Sequence, residues 1–133
     1  MLVKLRSPSQ TVIVSSSGPD PLTHPTFLGK PGIERAEQPL AHVEHFICAD
    51  AVEPAILLRA SRTALLEHAR TYGADSLVDE TWNLSIRPKN GTYRVSIKYS
   101  AHPAISGVTD PRRPMALRQA QGIPGVMTIV ERL

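Results

Sequence analysis

The sequence predicts a small α+β domain in which an antiparallel sheet carries one principal helix. Three observations predict it: a β-hairpin with regularly alternating residues, an amphipathic helix before the hairpin, and a strand before the helix. Together they form a β-α-β-β core over about residues 40–105. A chain of 133 residues is long enough to bury a hydrophobic core as a single domain, 1–133.

The hairpin turns at Asn90-Gly91. Asn-Gly supplies the two positive φ angles of a type I′ turn, whose twist matches that of paired antiparallel strands. On both sides of the turn apolar and polar residues alternate, which places one set on each face of the sheet. The apolar set consists of Trp82, Leu84, Ile86, Tyr93, Val95, Ile97 and Tyr99. One face is therefore apolar and the other is polar and basic.

The predicted helix begins at Pro54 and is closed by Gly73. Proline suits a first helical turn because it needs no donor there, and glycine readily adopts the left-handed conformation that ends a helix. The apolar face recurs at spacings of three and four and consists of Leu57, Leu58, Ser61, Ala64, Leu65, Ala69 and Tyr72. His68 falls within this face and is expected in the core. Arg62 falls on the polar side, and Leu66, near that side, is expected to be exposed.

Before the helix, Leu40–Ala49 is predicted to be a strand. One face would hold Ala41, Val43, His45 and Ile47, and the other His42, Glu44, Phe46 and Cys48. Both faces are partly apolar, which suits a central strand or one covered by a second subunit. Because the connection to the helix is short, the helix should pack back onto the sheet.

Two arms rich in proline and glycine, residues 1–39 and 106–133, flank the core. Within them only Thr11–Val14 and Val126–Val130 resemble strands. Such arms are either disordered or extended segments that wrap the core or a neighbouring subunit. Apolar residues spaced along them favour wrapping; these are Val12, Ile13, Val14, Phe27, Leu28, Ile33, Met115 and Leu117. We therefore expect the arms to complete a homo-oligomer.

The composition, 41% hydrophobic and 20% charged residues, is that of an ordinary globular protein. No apolar run reaches the length of about 18 residues that a membrane helix needs. The start, Met1–Arg6, is too short and too charged for a secretory signal. The single cysteine, Cys48, excludes an intramolecular disulfide and is compatible with a reducing compartment. A cytoplasmic protein without a membrane partner is expected.

The chain is basic, with a net charge of +3 and a pI of about 9.4, so a nucleic-acid partner has to be considered. The cations are spread over the helix, the sheet and the C-terminal arm: Arg59, Arg62, Arg70, Arg94, Lys98, Arg112 and Arg113. The polar face of the hairpin lacks the aromatic residues that stack on bases in single-strand readers. A solvated basic surface is therefore favoured, and a nucleic-acid partner is not expected.

A metal site is the sharpest alternative, because His42-x-x-His45-x-x-Cys48 combines zinc-ligating residue types. On the predicted strand, however, His45 faces away from His42 and Cys48. Zinc sites need three or four converging ligands, and no second CxxC or HxxxH cluster exists to supply them. A structural role for the three residues is favoured, and no cofactor is expected.

No catalytic constellation is recognisable. Cys48 and His45 cannot form a nucleophile–base pair from opposite faces of a strand. Asp75, Asp79 and Glu80 form an acidic cluster, but alternation places Asp79 and Glu80 on opposite faces, which disfavours paired-carboxylate chemistry. No glycine-rich loop precedes a helix in the way a phosphate-binding loop does. The sequence therefore predicts no catalytic residue.

Four segments resemble a family of small uncharacterised proteins of basidiomycete fungi: Ala41–Phe46, Gly73–Glu80, Tyr99–Pro103 and Gly122–Thr128. That resemblance spans most of the chain and implies no activity. The helix, Gly73-Ala74-Asp75 and the hairpin are together similar to bacterial YbjQ-like domains, some of which are labelled heavy-metal-binding. The second resemblance implies an oligomeric α+β module and transfers no ligand residue.

These observations lead to one expected function. The chain is expected to be a non-enzymatic, oligomeric structural or protein-interaction module. The alternative is a small-ligand or metal-binding module, and an enzyme comes third.

Overall fold

The computed structural model describes residues 11–133, and in that range the chain forms one antiparallel sheet and one long helix. The strands are β1 (Ile13–Ser16), β2 (Glu34–Arg35), β3 (Leu40–Ala49), β4 (Ser76–Lys89), β5 (Thr92–Ile105) and β6 (Thr128–Arg132), and the helix is α1 (Pro54–Arg70). The predicted α+β class and its β-α-β-β core are confirmed. The charged start of the N-terminal arm, Met1–Arg6, lies outside the described residues.

The sheet has the strand order β1-β4-β5-β3-β6, and β2 pairs with the far end of β5. Its centre is the predicted hairpin, which pairs from Lys89 opposite Thr92 to Ser76 opposite Ala104. At the turn, Asn90 has a φ of 50° and Gly91 a φ of 82°, as a type I′ turn requires. β1 and β6 are the two edges of the sheet.

The hydrophobic core lies between α1 and one face of the sheet. Its largest fully buried side chains include Trp82, Tyr99 and Phe46 from the strands and Leu57, Leu58 and Leu65 from the helix. Full burial of one such aliphatic side chain stabilises the fold by roughly 1.5–3 kcal/mol. The opposite face of β3, β4 and β5, called the open face below, carries polar and charged side chains on β4 and β5.

Four expectations about the helix were wrong: two side chains expected in solvent are buried, and two expected on the apolar face are exposed. Leu66 is only 2% exposed and packs in the core, and Arg62 is 1% exposed. Asp110 of the C-terminal arm contacts Arg62, so the arm covers a side of the helix that the pattern assigned to solvent. His68, near the other margin of the stripe, is exposed, and so is Tyr72, which lies beyond the end of α1.

A β-bulge in β4 changes which residues face the helix. The register shifts between Val78 and Thr81, and Asp79 has a φ of 52°. Leu77 packs in the main core, whereas the next residue, Val78, packs on the opposite side of the sheet. After the bulge, Glu80 is fully buried and joins the side chains of the helix-covered side.

The described parts of both arms wrap this chain's own core. Phe27 of the N-terminal arm covers Val78 and Ala104 on the open face, at the end of the sheet far from the hairpin turn. Leu117 and Ile123 of the C-terminal arm pack against the main core. The two strands predicted in the arms exist but are displaced by two residues, and β2 was not predicted. Three of the expected apolar anchors are exposed instead: Val12, Val14 and Leu28.

Candidate functional site

The edge strand β6 is poorly covered, since all five of its residues are exposed. It pairs with β3 through a register shift between Ile47 and Cys48. Leu133 exchanges backbone hydrogen bonds with His45, with N–O distances of 2.7 and 3.4 Å. Antiparallel pairs alternate between bonded and non-bonded positions, so the backbone N–H and C=O of Arg132 point away from β3.

Apolar side chains cluster at this edge. Val126 is 84% exposed and Val130 59% exposed, and Ile129 and Leu133 are also about half exposed. An edge strand with apolar side chains and outward-facing backbone groups is a template for pairing with another strand. The edge therefore has both chemical components of a strand-pairing surface.

Arg132 fastens β6 to the body of the molecule. Its guanidinium forms an ion pair with Glu44 and lies 5.5 Å from the centre of the Phe46 ring. The Glu44 carboxylate also accepts a hydrogen bond from Ser61 Oγ at 3.2 Å and lies 2.9 Å from His42 Nε2. Burial alone raises the pKa of Glu44, but the bonds from Arg132 and His42 outweigh it and hold this pKa below the ordinary value.

A second charged cluster is completely buried. Arg62 Nε and Nη2 donate to the Glu80 carboxylate at 2.7 and 3.1 Å, and Nη1 and Nη2 donate to Asp110 at 2.6 and 3.1 Å. Tyr99 Oη donates to Glu80 Oε1 at 2.6 Å. Burial disfavours the charge on Arg62, but the bonds to Asp110 and Glu80 outweigh it and raise the pKa of Arg62. Burial raises the pKa values of both Glu80 and Tyr99.

This buried cluster joins helix, sheet and C-terminal arm. Its bonds saturate the polar atoms: no buried side-chain nitrogen or oxygen within residues 11–133 lacks a hydrogen-bond partner. Nearby, Trp82 Nε1 donates to the backbone oxygen of Met115 at 2.7 Å, which ties down the same arm. Loss of any one charged member would leave a buried charge without its partner, which strongly destabilises a fold. The sequence pattern missed the cluster because a charged helix residue such as Arg62 is expected in solvent and Asp110 is remote in the chain.

An apolar cavity of about 400 Å³ lies beside the end of the helix. Its walls are largely apolar, and Glu34, Arg35 and Gln38 supply polar groups. The apolar lining residues include Leu40, Tyr72, Ala74, Pro103, Ala104 and Ile105. Arg35 is already engaged in an ion pair with Asp79. The cavity has the size and the apolar character of a small-molecule site.

The structure separates the three candidate metal ligands. His42 and Cys48 lie on the helix-covered side of β3, about 20 Å apart along the strand. His45 faces the other way, where its Nδ1 lies 2.8 Å from Ser96 Oγ. Burial raises the pKa of the Cys48 thiol, which is fully buried. Within the described range, no group of three His, Cys, Asp or Glu residues is positioned to hold a metal ion.

The acidic cluster around the start of β4 is also divided. Asp75 accepts backbone hydrogen bonds from Ser106 and Gly107, both at 2.9 Å. Burial raises the pKa of Asp75, but the bonds from Ser106 outweigh it, together with those from Ser76 and Gly107, so the pKa falls below its ordinary value. Asp79 pairs with Arg35 at the surface, whereas the Glu80 side chain is enclosed in the core. The three carboxylates thus stabilise three different parts of the fold.

No helix between residues 11 and 133 combines the length and the hydrophobicity needed to cross a membrane. Comparisons with protein-family models, with curated proteins and with solved structures find no match to the chain. Inferences about its function therefore depend on its own geometry and chemistry.

Proposed function

We propose that the chain is a non-enzymatic structural or protein-interaction module that forms a homo-oligomer by pairing β6 with β6 of a second copy. The observation that carries the proposal is the exposed edge strand, with the outward-facing backbone of Arg132 and the exposed side chains of Val130 and Leu133. The proposal attributes the expected oligomer to an edge strand. This strand, β6, belongs to the C-terminal arm.

Pairing of two β6 strands would join two sheets into one. An antiparallel pair is two-fold symmetric, so the same patch serves both copies, as in most dimers. Backbone hydrogen bonds would supply the pairing, as they do when a peptide adds a strand to a sheet edge. Burial of Ile129, Val130 and Leu133 would add about 25 cal/mol for each Å² of apolar surface removed from water.

The ionisable groups support a structural role. Glu44 joins β6 to the helix and to β3, Glu80 joins β4 to the helix, and Asp75 holds the loop that follows β5. Burial raises the pKa of Glu80, whereas for Glu44 and Asp75 hydrogen bonds within the fold outweigh burial and lower the pKa values. Their environments are explained by packing, without a reaction.

Self-association is tested by light scattering and sedimentation velocity over a concentration series. We expect a dimer or a larger assembly at about 100 μM, where even weak specific complexes with micromolar dissociation constants are populated. Val130→Lys should shift the distribution to monomer, because a charge at the edge opposes strand pairing. Leu28→Lys is the matched control, since Leu28 is equally exposed but lies in the N-terminal arm.

Circular dichroism should show that both variants keep the fold. If the parent protein is a monomer at that concentration, self-association is wrong. If Leu28→Lys dissociates the assembly and Val130→Lys does not, the interface lies elsewhere.

A small-ligand module remains the second candidate, and the cavity beside Tyr72 is the observation that favours it. Its size and apolar walls suit a small aromatic molecule. Nuclear magnetic resonance titration with phenol should perturb Ala74 and Leu40, and Ile105→Trp should abolish the effect by filling the cavity. Val43→Trp, on the open face, should leave it intact. Equal responses of both variants, or none in the parent protein, would reject the cavity as a site for this class of molecule.

A further inference from the structure

The open face carries a basic groove near the hairpin turn. The groove has a volume of about 440 Å³ and is lined by Arg87 and Lys89 of β4, by Arg94 of β5, and by Ser85 and Ser96. None of the three cations forms an ion pair within residues 11–133. Three cationic side chains and two hydroxyls therefore line one groove.

The placement of the two arginines is unfavourable for the fold itself. Arg87 and Arg94 are direct cross-strand partners in the hairpin register, so their side chains leave the same face of the sheet side by side. Like charges directly opposite each other destabilise a sheet. A locally unfavourable pair without a compensating partner in the described chain is typical of a functional position. An anion bound between the two guanidinium groups would offset their mutual repulsion, because both groups would attract it.

Two hydroxyls complete the floor of the groove. Ser85 and Ser96 are also direct cross-strand partners, one row further from the turn. Ser96 Oγ is held 2.8 Å from His45 Nδ1, which fixes its position. Among the paired residues of the described range, 11–133, Glu131 is the only carboxylate in the arginine row, and it lies beyond Ile47, two strands away from Arg94.

A smaller depression of about 200 Å³ adjoins the groove and shares Ser85 and Ser96 with it. Its walls include Val14, Val43, Leu84 and Ile97, with Lys98 beside them. Successive outward-facing rows of a sheet are about 7 Å apart, which is also the spacing of residues i and i+2 in an extended peptide. A charged residue and an apolar residue two positions apart in one extended segment would therefore reach the groove and the depression at the same time.

We propose that this part of the open face binds a phosphorylated protein segment. The phosphomonoester would lie between Arg87 and Arg94, and an apolar residue two positions along would occupy the depression beside Val14 and Val43. Arginine guanidinium groups suit this anion because they offer charged, paired N–H donors to phosphate oxygens. Among residues 11–133, the open-face positions of the hairpin carry no Phe, Tyr or Trp, which disfavours stacking of single-stranded bases.

The proposal is tested with a fluorescent peptide, Ala-Gly-phosphoserine-Gly-Leu-Ala, and with its unphosphorylated counterpart. Fluorescence anisotropy should detect binding of the phosphopeptide only. Arg87→Gln and Arg94→Gln should each weaken binding on the order of tenfold, because each removes a charge-assisted bond. Arg59→Gln, an exposed cation on the helix, is the matched control and should change binding little.

Thermal unfolding separates loss of the site from loss of the fold. Both groove variants should melt at or above the parent temperature, since each removes a like-charge contact. Inorganic phosphate should raise the melting temperature of the parent protein more than sodium chloride of equal ionic strength, and this difference should disappear in the variants.

Several results would overturn the proposal. Equal binding of the two peptides would show that the phosphate is not recognised. If a fifteen-nucleotide oligothymidylate or phosphatidylserine vesicles bind more tightly than the phosphopeptide, the groove is assigned to nucleic acid or to a membrane surface. Equal effects of Arg59→Gln and Arg94→Gln would show a general attraction to net charge and no site.

Discussion

At the scale of single residues, buried charges are the feature of this fold that the sequence pattern hides. Arg62 donates hydrogen bonds to Glu80 and Asp110 in the interior, although a charged helix residue is expected in solvent. Helical periodicity identifies an apolar stripe, but it contains no information about a carboxylate that arrives from 48 positions away. The buried positions of Leu66 and Arg62 therefore could not be predicted from the helix alone.

The first prediction concerns Arg62. Arg62→Met should destabilise the protein by about 3–5 kcal/mol, because it leaves Glu80 and Asp110 buried without their shared cation. Urea denaturation measures this difference. Arg59→Met, an exposed position on the same helix, should cost within about 0.5 kcal/mol. Equal losses for the two variants would contradict the structural role of the buried cluster.

The second prediction concerns pH and Glu44. The folded state lowers the pKa of Glu44 below the ordinary value of 4.5. The ion pair with Arg132 therefore stabilises the fold fully above about pH 4.5, and this contribution is lost as the pH falls through the lower, folded-state pKa. Glu44→Gln should lose less stability than the parent protein between neutral and strongly acidic pH in urea denaturation. An unchanged pH dependence in that variant would contradict the assignment.

At the scale of elements, those defined by the pattern of one segment were predictable, and features set by contacts with distant segments were not. The hairpin, the helix and β3 each follow from a period of two or of 3.6 within one segment. The bulge at Asp79 moves Val78 to the other face, and nothing in the alternating pattern marks it. β2 is only two residues long, and the expected strands in the arms were displaced by two residues because their ends are set by partner strands.

The third prediction tests the turn. Gly91 has a φ of 82°, and a Cβ atom there would meet nothing within 4 Å, so the cost of a side chain is conformational. Gly91→Val should destabilise the protein by about 1–3 kcal/mol, since a β-branched residue resists positive φ. Asn83→Val, at an exposed extended position of the same hairpin, should be neutral or slightly stabilising. Equal melting temperatures of the two variants would exclude the type I′ turn.

At the scale of the whole molecule, the described arms pack on their own core and leave exposed two surfaces to which we assign partners. One is the β6 edge, which suits a second copy because it offers backbone groups and apolar side chains. The other is the basic end of the open face, where two copies would repel each other through Arg87 and Arg94. The β6 edge was not predictable from the sequence, because β6 pairs with β3 across a long separation in the chain. The polar and basic face that carries the groove was predictable, because β4 and β5 form a local hairpin.

The measurement that tests the central proposal most directly is amide hydrogen exchange at Arg132. Its N–H points away from β3, so a second β6 strand must protect it. At about 1 mM protein, where even weak pairing is populated, we expect slow exchange at Arg132 in the parent protein and fast exchange in Val130→Lys. The amides of β3 should stay protected in both. Equally fast exchange at Arg132 in both proteins would contradict pairing through β6.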